Sequence, residues 1–168
     1  PKHHPMASLP TVPIGRGQLH ASRIGYGGWR LAGTWDPNAV TPEKEAAGRQ
    51  AVRTAIDAGY TFFDLADIYC HGVCERIFGD ALRENPGLRQ NLVIATKCGI
   101  RFAGDPTPDA PFRYDFSAEH IIRSCEQSLR RMGIETIDLY QLHRPDLLMH
   151  PHEVAGAFEH LHQQGKVR

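Results

Sequence analysis

The chain has 168 residues, 41% hydrophobic and 23% charged. That is the composition of a globular protein long enough to bury a substantial core. Lysine plus arginine and aspartate plus glutamate both total 19, which argues against a nucleic-acid surface or a polybasic membrane patch. No apolar run is long enough to span a membrane, and Pro1-Lys2-His3-His4-Pro5 lacks the apolar core of a signal peptide, so a cytoplasmic protein with reduced thiols is expected.

Residues 1–20, rich in Pro, Gly and His, read as an arm or hairpin, with Gly15-Arg16-Gly17 as its turn. Residues 22–28 form a weak first strand whose glycines imply close backbone approach. Thr41-Pro42-Glu43 starts a helix, with Thr as N-cap and Pro at the first helical position. Its apolar residues recur at helical spacing up to Gly59. A strand over 60–65 follows, then a helix marked by Ile77, Phe78, Ala81 and Leu82 and stopped near Asn85-Pro86-Gly87.

The next strand covers 92–97. Residues 99–116, with Pro106, Pro108 and Pro111, read as a long loop, a length that in compact domains is usually functional. Ser117 caps a third helix with Ile122, Cys125, Leu129 and Met132 on its apolar face, ending at Gly133. A strand over 136–143 leads to a fourth helix opened by Pro151, with Val154, Phe158 and Leu161 inward, closing at Gly165. Cys70, Cys74, Cys98 and Cys125 show no disulfide framework. Cys70-His71-Gly72-Val73-Cys74 could offer three zinc ligands, but no second ligand pair completes a site, so helix-start packing is expected and no metal.

Apolar strands alternating with amphipathic helices specify a parallel sheet covered by helices, in one domain. Two architectures share the pattern. A dinucleotide-binding open sheet requires Gly-x-Gly-x-x-Gly after the first strand, and Gly25-Tyr26-Gly27-Gly28-Trp29-Arg30 does not fit it. A (β/α)8 barrel places catalytic residues at the C-terminal ends of several strands, and Asp64, Lys97 and His143 fall there. Lys97 is one of only four lysines and closes the run Leu92-Val93-Ile94-Ala95-Thr96. The barrel is the reading taken, with four βα units over residues 22–168.

Singly, each residue has an ordinary explanation. A strand-end Asp caps loops, a Tyr packs amphipathically, a Lys snorkels and a His bonds a carbonyl. Together they make chemistry. A cation such as Lys97 stabilises the phenolate of a tyrosine such as Tyr69, Asp64 keeps the lysine charged, and His143 offers an N–H to a carbonyl oxygen. Such a set polarises C=O and protonates it, but the hydride must come from a cofactor. A Schiff-base role for Lys97 is a minor alternative.

The segments Asp64-Leu65-Ala66-Asp67-Ile68-Tyr69, Ala95-Thr96-Lys97 and Asp138-Leu139-Tyr140-Gln141-Leu142-His143 resemble the aldo-keto reductase superfamily. So do Ser128-Leu129-Arg130-Arg131-Met132-Gly133 and Gln164-Gly165-Lys166-Val167-Arg168, while Ala66-Asp67-Ile68-Tyr69 and His143-Arg144-Pro145-Asp146 are similar to its bacterial oxidoreductase branch. The resemblance runs from about Ile24 to Arg168. It implies Tyr69 as general acid tuned by Lys97 and Asp64, and His143 as the group that orients the carbonyl. It further implies Gly27, Gly28, Trp29 and Asp64 beside a nicotinamide, NADP(H) as cofactor, and Trp29, His143 and Arg144 toward a small carbonyl substrate. Arg144 stands where many members have Trp, and Cys70 where many have Gly.

A whole (β/α)8 enzyme needs about 250 residues, so these four units correspond to the N-terminal half of a barrel. The chain is expected to be part of a longer enzyme or a truncated product, or else a half-barrel that pairs with a second copy or a separate C-terminal half. Weak or absent activity is expected of the 168 residues alone. The alternative from another class is a non-catalytic binding or regulatory subunit on the same scaffold.

Overall fold

The computed structural model describes residues 9–15 and 19–168. A short antiparallel hairpin comes first, β1 (Thr11–Pro13) paired with β2 (His20–Ser22). An arm or hairpin was the expectation for residues 1–20; the turn at 16–18 and residues 1–8 lie outside the described residues. The Ser22 hydroxyl accepts from the backbone N–H groups of Thr61 (3.0 Å) and Phe62 (3.2 Å), so the hairpin sits against the N-terminal end of the main sheet.

That sheet has four parallel strands in the order β3 (Tyr26–Gly27), β4 (Phe62–Asp64), β5 (Val93–Cys98) and, after two strands described below, β8 (Leu139–Leu142). Its register aligns Gly27 with Asp64, Asp64 with Ala95, and Lys97 with Gln141. Beyond β8 the next sheet position is taken by Val167, bridged in parallel to Ile137. The helices are α1 (Pro42–Asp57), α2 (Val73–Glu84), α3 (Ala118–Met132) and α4 (Pro151–Gln163). The succession is that of a partial (β/α)8 barrel of four units.

The caps act as their sequences predict. The Thr41 hydroxyl accepts from Lys44 N at 3.4 Å and the Ser117 hydroxyl from His120 N at 3.3 Å, each satisfying a first-turn N–H. The core lies between sheet and helices, around Phe63, Phe78, Ile77, Ile94, Ile121 and Met132, all essentially without exposure. Phe63 and Phe78 meet with ring centroids 5.2 Å apart. On α3 the buried face runs through Ile121 rather than Ile122, which is half-buried; Cys125, Leu129 and Met132 are buried as expected. Among the described residues no helix is long and apolar enough to cross a membrane.

Residues 99–116 depart from the irregular loop expected. They contain a second small hairpin, β6 (Ile100–Arg101) against β7 (Arg113–Tyr114). Arg101 organises it from inside. Its guanidinium, 8% exposed, takes Asp105 through two bonds (2.8 and 2.9 Å) and Asp115 through a third (2.8 Å). Asp115 in turn accepts from the Ser117 hydroxyl at 2.7 Å, which ties the loop to the cap of α3. These bonds hold the Asp115 carboxyl down at about 2 against the cost of its burial.

Candidate active site

In a strand successive side chains face opposite sides. Along β5, Thr96 faces the helices, where its hydroxyl donates to Glu75 of α2 at 2.6 Å, so Lys97 faces the other side, the interior of the partial barrel. The same alternation along β4 turns Phe63 into the core and Asp64 toward Lys97. Asp64 ends its strand, Lys97 lies one residue from the end of its own, and His143 directly follows β8. The three groups therefore converge at the C-terminal mouth.

Lys97 is the hub. Its Nζ lies 2.8 and 2.9 Å from the two oxygens of Asp64, 2.7 Å from the backbone oxygen of Leu65 and 3.3 Å from the Tyr69 hydroxyl. Three donors on an ammonium are thus matched by a carboxylate, a carbonyl and a phenol. Tyr69 meets His143 edge-on, with ring centroids 5.6 Å apart. The His143 backbone N–H donates to Cys98 O at 2.8 Å, while its buried ring nitrogen Nδ1 has no hydrogen-bond partner among the described residues. Burial, with the cations Lys97 and Arg144 behind it, pushes the His143 imidazole down to about 4, so it is neutral at physiological pH.

The structure therefore brings together all four residues singled out as catalytic: Asp64, Tyr69, Lys97 and His143. Gly27 lies beside Asp64 in the sheet register and is exposed. Gly28 begins a 3-10 turn, and a Cβ there would collide with the Leu65 side chain, so only glycine lets this edge close on β4. Trp29 is 44% exposed at this edge, 5.3 Å from Trp35 between centroids, with the Arg30 guanidinium 4.6 Å over its ring. Arg144 is exposed and joins the set only by following His143. Cys70 and Cys74 are buried in the core, and the His71 ring stacks on Phe102 at 4.3 Å.

Other charged groups that the sequence reading left aside are buried behind the mouth. Glu75 has no exposure and holds Thr96 and Arg131. Asp67 lies between Leu65 and Tyr69, with one carboxylate oxygen buried and unpaired. A carboxylate inside the Asp64–Tyr69 segment and a glutamate in the first turn of the helix after it were visible signals. The partner of Glu75, Arg131, lies 56 residues away and had none. Two further buried polar groups do other work: Asp138 is held at the opposite end of the sheet, and His120 stands 4.0 Å from Asp115 at the start of α3.

Comparison with known proteins follows the geometry. A sequence model of the aldo/keto reductase family matches residues 23–168. The chain is 38% identical to a 6-dehydroglucose reductase of Novosphingobium aromaticivorans over 97% of its own length and 52% of that protein's. It is 42% identical to the oxidoreductase YdhF of Escherichia coli over 88% of itself and 47% of that protein. The solved aldo-keto reductase AKR11C1 of Bacillus halodurans, in its holo form, superposes with a TM-score of 0.79 at 31% identity, over 95% of this chain and 48% of that one. The chain spans about half the length of the curated relatives it matches.

Proposed function

The chain belongs to the aldo/keto reductase family, and from that premise we propose that the protein carrying it is an NADPH-dependent reductase of small aldehydes or ketones. The observation that carries this reading is the hub at Lys97, which holds Asp64 and the Tyr69 phenol around one ammonium. In this reading Tyr69 is the general acid. Its hydroxyl hands a proton to the carbonyl oxygen as negative charge develops there. Lys97, fixed by Asp64 and by Leu65 O, supports the phenolate left behind. His143, neutral because it is buried beside cations, has a ring N–H to offer the same carbonyl oxygen without competing for its proton.

The donor set fits a nicotinamide cofactor on chemical grounds, since none of these side chains can deliver a hydride. When bound, NADPH would supply that hydride. The exposed edge of Gly27, the Gly28 turn and Trp29, beside Asp64, would hold the nicotinamide end. Trp29, His143 and Arg144 would face the substrate. Activity is ascribed here to the full-length protein; the 168 residues alone are expected to bind cofactor weakly, because much of the barrel wall lies outside them.

The test is NADPH oxidation by the natural full-length protein over a panel of aldehydes and ketones, with Tyr69→Phe alongside. Tyr69→Phe is expected to lose about 10³-fold in kcat, the scale of a general acid, with NADPH affinity unchanged. Wild-type turnover that survives in Tyr69→Phe would refute the assignment.

A further inference from the structure

We propose that Arg131, seated by Glu75 and flanked by Asp67, is a positioning residue that fixes the Tyr69 phenol relative to Lys97. The proposal rests on the reductase reading of the same site and adds residues from the far side of the sheet.

Tyr69 is followed by three residues in the left-handed region: Cys70 (φ 48°), His71 (φ 53°) and Gly72 (φ 86°). Two of them carry side chains, which L-residues rarely tolerate in this region. Such a turn persists only if its surroundings hold it. Arg131 of α3 does so from below: a Cβ on Gly72 would lie 2.6 Å from Arg131 Cδ and 2.7 Å from Nε, so the arginine stem fills the space under the turn.

The arginine is itself held. Its Nε donates to Glu75 Oε2 at 2.7 Å and its Nη2 to the Ser128 hydroxyl at 3.1 Å. The other Glu75 oxygen accepts from Thr96, the residue before Lys97. Hydrogen bonds therefore link Thr96, beside Lys97, through Glu75 to Arg131, and the arginine stem packs under the turn after Tyr69. This linkage spans the gap that also sets the 3.3 Å approach of phenol to ammonium. That distance is at the long end for a hydrogen bond, so small displacements of the turn decide whether it forms.

Asp67 makes the buttress sensitive to pH. It borders a cavity of about 220 Å³ also lined by His71, Phe102, Asp105, His120 and Arg131. The charged or titratable groups around it are Glu75, Arg131, Lys97, His71, Asp105 and His120, with the Cys98 thiol and the Tyr140 phenol from the sheet. Burial and the Glu75 charge push its carboxyl up to about 7, with Arg131 opposing. One guanidinium then serves two carboxylates as pH rises through neutrality, and an ionised Asp67 draws it away from Glu75 and from Gly72.

The experiment uses the natural full-length protein, with Arg131→Lys, the pair Glu75→Gln with Arg131→Met, and Asp67→Asn. Readouts are kcat and KM from pH 5.5 to 8.5, thermal unfolding, and the 19F resonance of Tyr69 after 3-fluorotyrosine labelling, assigned with Tyr69→Phe. Arg131→Lys is expected to fold, lose about ten- to a hundredfold in kcat as the phenol is misplaced, keep both KM values within about twofold, and shift the Tyr69 resonance. Asp67→Asn is expected to keep kcat at pH 6 and lose the fall in kcat across pH 7. A folded Arg131→Lys with kcat within twofold of wild type and an unmoved resonance overturns the proposal, as does an unchanged pH profile in Asp67→Asn. If Arg131→Lys does not fold, the paired variant, which removes both members of the Glu75–Arg131 ion pair, is judged by the same criteria. Failure of both to fold makes Arg131 a stability residue and also overturns it. A wild type without reductase activity sinks the reductase reading instead, and the 19F resonance still reports whether Arg131 holds Tyr69.

Discussion

The two ends of the parallel sheet each carry a buried or half-buried ion pair, and the pairs differ in what their spare groups face. At the base, Asp138 has no side-chain exposure. Its Oδ2 lies 2.9 Å from Arg89 Nη2 in an ion pair and accepts from the Ile94 backbone N–H at 2.8 Å, and Arg168 stands 3.3 Å from Oδ1. Arg89 spends its other donors on the carbonyls of Leu92 and Thr136. The bonds there run to backbone and arginine groups and link β5 to the start of β8, and among the described residues the buried Oδ1 accepts no hydrogen bond. At the mouth, Lys97 and Asp64 are 14% and 37% exposed, the ammonium's third bond goes to a phenol, and an imidazole nitrogen lacks a partner. A charged residue beside a strand thus becomes a site only where its bonds end on groups that can still react.

The sharpest way to break this contrast is to remove one member of each pair in the full-length protein. Lys97→Met is expected to lower kcat by about 10³-fold, the scale of the acid it supports, with little loss of stability because Asp64 is exposed enough to rehydrate. Asp138→Ala is expected to do the opposite. It strands Arg89 and the Ile94 N–H, and should cost about 3 kcal/mol of stability while leaving kcat per folded molecule unchanged. Urea unfolding and turnover on both variants check this. A Lys97→Met protein that loses more stability than Asp138→Ala would erase the distinction between the two ends.

Much of this contrast could be read in the sequence, and the unreadable part has a common cause. Strands, caps and the mouth residues follow from local rules: alternation, Thr41-Pro42, Ser117, and charged groups at strand ends. On α3 the expected face through Cys125, Leu129 and Met132 is buried, and only the half-buried Ile122 yields to Ile121, because both are apolar and only packing chooses between them. The hairpin in 99–116 was missed because its organiser, Arg101, looks like any loop arginine until Asp105 and Asp115 fold onto it. Glu75, Arg131 and Asp67 were missed because their meaning lies in contacts between α2, α3 and the loop carrying Tyr69, and one-dimensional periodicity does not record such pairings. Asp138 was noted only as part of a motif, since a strand-start acid carries no mark that it will be buried.

The loop after β5 offers an intermediate test. Arg101 is as enclosed as the base pair, but it belongs to the mouth. Arg101→Met leaves Asp105 and Asp115 without their shared cation. It is expected to cost about 1.5–3 kcal/mol, the scale of hydrogen bonds to a charged group, and to make residues 102–114 the first site of limited proteolysis. The stability that Asp115 contributes is present above its ordinary carboxylate range and is lost as pH falls toward about 2. Arg101→Met should therefore flatten the acid limb of the unfolding curve below pH 4. If proteolysis begins elsewhere, the arginine is not what orders the loop.

The smallest effect expected concerns His143, where the mouth itself touches stability. Its imidazole is pushed down to about 4 by burial and by Lys97 and Arg144, against an ordinary value of 6.5. A base whose folded value is depressed favours the unfolded state as protons become available, because the unfolded chain takes up the proton first. Its contribution is therefore fully present above about pH 6.5, declines as pH falls, and is gone below about 4. The ring is only half-buried, so screening keeps the effect small. His143→Gln should remove this decline between pH 6.5 and 4 while lowering kcat for carbonyl reduction at pH 7, since the amide retains an N–H but not the ring's geometry. Chemical denaturation at stepped pH reads the first effect and steady-state turnover the second. If the two proteins kept parallel stability profiles while turnover still fell, His143 would act on the carbonyl without carrying any of the linkage that its burial beside Lys97 implies.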